Sequence, residues 1–169
     1  MVMLVDTHSH LDMLKEISIE EALQAAKEAG VEKILNPTAY AGDLEKVCKL
    51  AEKYENIYGM LGVHPSEIDG WSDDLSDKIR ELAKSDKIVA IGEIGLDYHW
   101  DTTYKEEQHI VFREQLLLAR RLNLPVMVHI RDAMEDTYRI LHEVATLRGD
   151  TLYPLRGVVH CFSGSREMA

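Results

Sequence analysis

The sequence predicts an α/β fold, a TIM-type (β/α)8 barrel with only about six of its βα units present. Three observations carry this expectation. Apolar strand-like runs alternate with amphipathic helical stretches at intervals of about 30 residues, the size of a βα unit. The runs are apolar throughout instead of at every second residue, which marks a parallel sheet covered by helices. No GxGxxG follows the first run, which counts against a dinucleotide-binding sheet.

Each element has its own local signal. VMLV (Val2–Val5) is the first strand. In SIEEALQAAKEAG, Ser18 and Glu21 have capping-box spacing, Ile19, Ala22, Leu23 and Ala26 share a face, and Gly30 stops the helix. Lys33–Pro37 is the second strand, and Asp43 is placed to cap a helix striped by Leu44, Val47, Cys48, Ala51 and Tyr54. Ile57–Gly62 is the third strand, followed by a helix marked by Leu75, Ile79, Leu82 and Ala83. Lys87–Gly92 is the fourth strand, Lys105–Leu122 a long helix closed by NLP, and Pro125–Ile130 the fifth strand. Met134, Tyr138, Leu141 and Val144 stripe the fifth helix, and Gly157–Phe162 is the sixth strand. SGSREMA then reads as a helix start capped by Ser163 or Ser165. A full barrel takes roughly 250 residues, so 169 residues with six strands read as a barrel lacking its last two units.

Composition narrows the function. With 46% hydrophobic residues, the chain has enough for one core, and residues 1–169 read as a single partial barrel domain. A net charge of −11 excludes a protein that grips nucleic acid by a broad basic surface, but not an enzyme whose positive charge arrives as bound metal. Cys48 and Cys161 have no CxxC partner and read as reduced thiols of a cytoplasmic protein. No apolar run approaches membrane-spanning length, so no membrane association is expected.

The chemistry gathers at strand ends. His8 and His10 follow the first strand at a spacing that puts both on one face, Glu93 follows the fourth, His129 ends the fifth and His160 ends the sixth. Parallel strands of a barrel share one mouth at their C-terminal ends, so these five metal-ligand types are expected to converge. Imidazole nitrogens with a carboxylate oxygen suit zinc or manganese, with magnesium less favoured.

The segments DTHSHLD, GVHPSE, AIGEIGLDYHWD, LPVMVHIRDA and GVVHCFSGS, in this order across essentially the whole chain, resemble the TatD family of metal-dependent deoxyribonucleases in the amidohydrolase superfamily. The resemblance implies two divalent metal ions (zinc, manganese or magnesium) and hydrolysis of DNA phosphodiester bonds. It implies that His8 and His10 bind one ion, that His129 and His160 bind the other, and that the catalytic Glu93 bridges both. It also implies an aspartate after an eighth strand, a position with no counterpart in these residues, so activity is expected to be impaired. Two ions about 4 Å apart would clamp the attacking and leaving oxygens of a phosphodiester.

Single-stranded or frayed DNA ends are the expected substrate. His64, at the end of the third strand, and Arg131, two residues past His129, are expected to contact its phosphates, with a salt bridge to Asp97 or Glu93 as the other reading of Arg131. Asp6 reads as a hydrogen-bonding support of a ligand or of nearby backbone, and Asp97 as a loop-ordering carboxylate. His99, His109 and His142 read as surface or loop residues, and Cys161 as packing. Competing functions are an amidohydrolase acting on an ester or amide, such as a D-aminoacyl-tRNA deacylase, and a metal-binding remnant without turnover. No protein partner is implied beyond self-association through open sheet edges.

Overall fold

A computed structural model describes residues 3–169. Val2, placed in the first strand above, lies outside the described residues. The strands are β1 (Leu4–Asp6), β2 (Val31–Pro37), β3 (Ile57–Leu61), β4 (Ile88–Asp97), β5 (Val126–Arg131) and β6 (Gly157–Val159). The helices are α1 (Ile19–Glu28), α2 (Leu44–Lys53), α3 (Asp73–Leu82), α4 (Lys105–Leu122) and α5 (Met134–Thr146). The six strands form one parallel sheet in sequence order, each neighbour pair joined through a helix. No described helix is long and apolar enough to cross a membrane.

The sheet is strongly curled. Six flat strands would hold β1 and β6 about 24 Å apart. Yet the rings of His8, just past β1, and His160, just past β6, stack with centroids 4.2 Å apart and planes 11° from parallel. The C-terminal strand ends therefore close around one mouth, as in the wall of a (β/α) barrel. Outward-facing residues Leu61, Ile91, Ile94 and Val128 pack against Leu44, Val47, Ile79, Phe112, Leu116 and Ile140 of the helices. Met60, Ala90 and Met127 form a smaller cluster with Leu35.

The local signals account for most element ends. Ser18 Oγ accepts the Glu21 N–H at 3.2 Å and Glu21 Oε2 accepts the Ser18 N–H at 2.8 Å, so α1 starts on a complete capping box. Ser18→Ala is expected to lower stability by about 1 kcal/mol, read as a lower urea midpoint at unchanged slope. After α4, Asn123 takes the left-handed conformation (φ 56°) that ends the helix. At Ser165, Oγ accepts the Met168 N–H at 3.3 Å, the first turn expected there.

Four expectations need correction. Asp43 does not cap α2 through its side chain. It ends a tight turn (Ala41–Asp43) and already has near-helical backbone angles (φ −92°, ψ −2°), unlike the extended residue a capping side chain needs. β4 does not stop at Gly92 but runs on to Asp97, with its pairing to β5 shifted between Ile91 and Ile94. β6 is shorter than expected, and Cys161 beyond it is exposed with φ 48°, so it does no packing.

Candidate metal centre

Five elements deliver side chains to the mouth. The segment after β1 is held by short polar bonds. Asp6 Oδ1 accepts the His8 N–H at 3.0 Å, and Asn36 of β2 accepts the Leu11 N–H at 2.7 Å while donating to Asp12 Oδ1 at 2.9 Å. His64 follows β3, where Gln115 of α4 clamps the preceding residue, accepting the Val63 N–H at 2.8 Å and donating to its carbonyl at 3.1 Å. Two turns earlier on α4, Gln108 clamps Asp97 in the same way, with both bonds at 3.0 Å. Glu93 sits at the irregularity within β4, His129 lies in β5, and His160 follows β6.

All five residues expected as ligands come together around Glu93, which is only 3% exposed. Its Oε2 lies 3.3 Å from His8 Nε2 and 3.5 Å from His10 Nε2. Its Oε1 lies 2.6 Å from His160 Nε2 and 2.8 Å from His129 Nδ1. His8 Nε2 and His10 Nε2 are 3.2 Å apart, and His160 Nε2 and His129 Nδ1 are 3.4 Å apart. His64, expected only as a substrate contact, also points inward, with Nε2 3.9 Å from Glu93 Oε1 and its ring edge-on to His129. Arg131 is different. It is exposed, makes no ion pair among the described residues, and lays its guanidinium 5.4 Å from the centroid of the Trp100 ring.

The electrostatics follow from this crowding. Burial pushes the Glu93 carboxyl up, but hydrogen bonds from His10, His129, His160 and His8 outweigh it and hold it far below the usual carboxylate range. Burial lowers His64 to about 4 against the pull of the Glu93 charge, so its ring is neutral at pH 7. His129 is also opposed by burial, but Glu93 and Asp97 overcome it and raise its pKa.

The donor set fits a divalent cation. A tetrahedral ion with ligands at about 2.0–2.1 Å spaces neighbouring ligand atoms about 3.3 Å apart, close to the separations among His8 Nε2, His10 Nε2 and Glu93 Oε2. The Nδ1 atoms of His8 and His10 are buried with no hydrogen-bond partner among the described residues, and each ring turns its other nitrogen toward a carboxylate it shares with three further imidazoles. So many lone pairs aimed at one point is an arrangement that a positive ion relieves. His8, His10 and Glu93 form one group able to hold an ion, and His64, Glu93 and His129 another. His160 adjoins the second through its contact with Glu93 Oε1.

Sequence reasoning undervalued Asp97. Its Oδ1 orders the loop by accepting the His99 N–H at 2.9 Å, but its Oδ2 also lies 3.0 Å from His129 Nε2, the nitrogen that faces away from Glu93. A carboxylate in that position fixes the ring and its tautomer. The signal was its even spacing from Glu93 along a strand, which was hidden once the strand was ended at Gly92. Asp97→Asn is expected to weaken divalent-metal affinity by about 10–100-fold in calorimetric titration, with little change in thermal unfolding of the metal-free chain. His109 also needs correction. It is 7% exposed, inside α4, with Nε2 2.5 Å from the Tyr98 hydroxyl, and Tyr98 in turn donates to Asp136 at 2.8 Å. His99 and His142 are at the surface as expected.

Comparison with known proteins places the chain in a family. A family model described as TatD related DNase matches residues 5–169. The Bacillus subtilis protein named uncharacterized metal-dependent hydrolase YabD is 41% identical over 169 residues, 99% of this chain and 64% of that protein. A Cronobacter sakazakii protein named 3'-5' ssDNA/RNA exonuclease TatD is 36% identical over 151 residues, 89% of this chain and 55% of its own length. The crystal structure of YjjV, a TatD homologue of Escherichia coli, superposes with a TM-score of 0.84 at 37% identity, covering 98% of this chain and 62% of that one. The chain thus spans less than two thirds of each of these relatives. With a family match over nearly its whole length and six parallel strands curled as in a TatD homologue, the chain belongs to the TatD-related DNase family.

Proposed function

We propose that this chain carries the metal centre of a hydrolase that cleaves phosphodiester bonds of single-stranded nucleic acid with the help of two divalent cations. The observation that carries the reading is the convergence of four imidazoles on the two oxygens of one buried carboxylate, two on each. His8 and His10, beside Oε2, would hold one cation, His129 and His160, beside Oε1, would hold the other, and Glu93 would serve both. When bound, the cations supply positive charge against the phosphodiester and make water more acidic. The protein's own part is orientation. Asp97 holds the His129 ring, Asn36 and Gln115 fix the backbone beside His10 and His64, and the neutral His64 faces the centre where a phosphate oxygen would lie. The Cronobacter relative, named as a 3'-5' ssDNA/RNA exonuclease, supports the substrate class.

The test is a labelled single-stranded oligonucleotide mixed with chelator-stripped protein in excess, so that even a slow single turnover registers. Added manganese, zinc or magnesium should start cleavage that chelator stops. An ester and a D-aminoacyl substrate run beside it should stay intact. Hydrolysis of either of those but not of the oligonucleotide, or no cleavage with any cation, would overturn the reading.

A further inference from the structure

A cavity of about 280 Å³ opens beside the metal centre, and nothing in the reading above uses it. Pro65, Ile68, Trp100 and Tyr104 line it, and Asp97 reaches both this cavity and the His129 ring. Trp100 is 79% exposed and Tyr104 52%, a large apolar area to leave facing water next to a polar site. The Trp100 ring is not loose. His99 packs edge-on against it at 4.6 Å between centroids, and Arg131, two residues beyond His129, lays its guanidinium over it.

We propose that Trp100 and Tyr104 form a subsite that stacks a nucleobase of the strand lying across the metal centre. The inference rests on the nucleic-acid reading above and adds the part of the substrate that is held. Charge selects the base over the phosphate. Asp69, Asp97 and Asp101 border the cavity, so a phosphate is repelled there, whereas the amino-bearing edge of a base meets acceptors. The acidity of the chain points the same way. At a net charge of −11, little binding energy comes from phosphate neutralisation, and stacking on aromatic rings is the sequence-tolerant alternative. Stacking also requires an unpaired base, which favours single strands over duplex.

The chain has two tryptophans, so Trp71→Phe leaves Trp100 as the sole reporter. Metal-free Trp71→Phe protein is titrated with a single-stranded oligonucleotide and with an abasic strand of equal length, following tryptophan fluorescence and, with a labelled strand, anisotropy. The base-bearing strand should quench Trp100 and bind more tightly than the abasic one. Trp100→Ala should weaken anisotropy-detected binding by about 5–150-fold, with most of it restored in Trp100→Phe. Binding by the unaltered chain that is the same for Trp100→Ala, or equal quenching by the abasic strand, overturns the subsite and leaves the proposed hydrolase standing. Failure of the unaltered chain to bind any strand, with or without cations, overturns both.

Discussion

Glu93→Gln is expected to abolish binding of at least one of the two divalent cations and, with it, to lower any phosphodiester hydrolysis by about 10³-fold or more. The substitution keeps the shape and removes the charge at the one point where all four imidazoles meet. An amide offers one acceptor oxygen instead of two, so it can serve the His8/His10 side or the His129/His160 side but not both. Its NH2 group would meet nitrogen lone pairs on the other side, and no bridge remains. Calorimetric titration with manganese or zinc reads the loss directly, and a single-turnover cleavage assay reads the consequence. Retained affinity for two ions would mean that the cations sit elsewhere, and the assignment of His8, His10, His129 and His160 would fall with it.

Gly95→Ala is expected to cost about 3 kcal/mol or more of stability and to damage the metal centre at the same time. Gly95 pairs with His129 across β4 and β5, at φ 148°, a conformation that residues with a Cβ rarely adopt. The backbone conformation alone is worth about 1–3 kcal/mol. A Cβ there would also fall onto the backbone carbonyl of His129, so β5 must move away at the residue that carries a ligand. Urea unfolding should show the lost stability, and titration should show weaker metal binding than Asp97→Asn produces. Gly42→Ala is the control, because a Cβ there meets nothing within 4 Å. The control should be neutral or more stable by up to about 1 kcal/mol, and a loss as large as that of Gly95→Ala would show that the close approach does not govern the effect.

Much of the barrel wall was legible because its elements obey single rules. Strand runs are apolar because they are buried, Lys105–Leu122 ends where an Asn adopts the left-handed turn, and Ser18 and Glu21 have the spacing of reciprocal capping. The gathering of four histidines around Glu93 was legible because a barrel puts every strand end at one mouth. What stayed hidden depends on contacts between distant segments. Gly92 and Gly95 look like a strand end in sequence, yet they lie within a strand, where Met127 and His129 of β5 approach too closely for a side chain. Asn36, Gln108 and Gln115 carry no signal in the sequence, yet all three are buried and satisfy backbone groups that hold the loops of the site. His109 read as a surface or loop residue, whereas its ring is buried and faces Tyr98.

The stacking of His8 on His160 has a thermodynamic side. The two rings belong to the first and last strands, which share no hydrogen bonds and stand at opposite edges of the sheet. Cations shared through Glu93 would therefore act as a reversible clasp across a loop of about 150 residues. A permanent link of that length would stabilise by roughly 4–5 kcal/mol through the unfolded chain. A clasp that lets go on unfolding works by mass action instead, and adds about 2.7 kcal/mol when free cation is 100 times its dissociation constant. Loading of the site would then favour the closed arc over the unfolded chain, and chelation should lower the melting temperature of the cation-loaded protein.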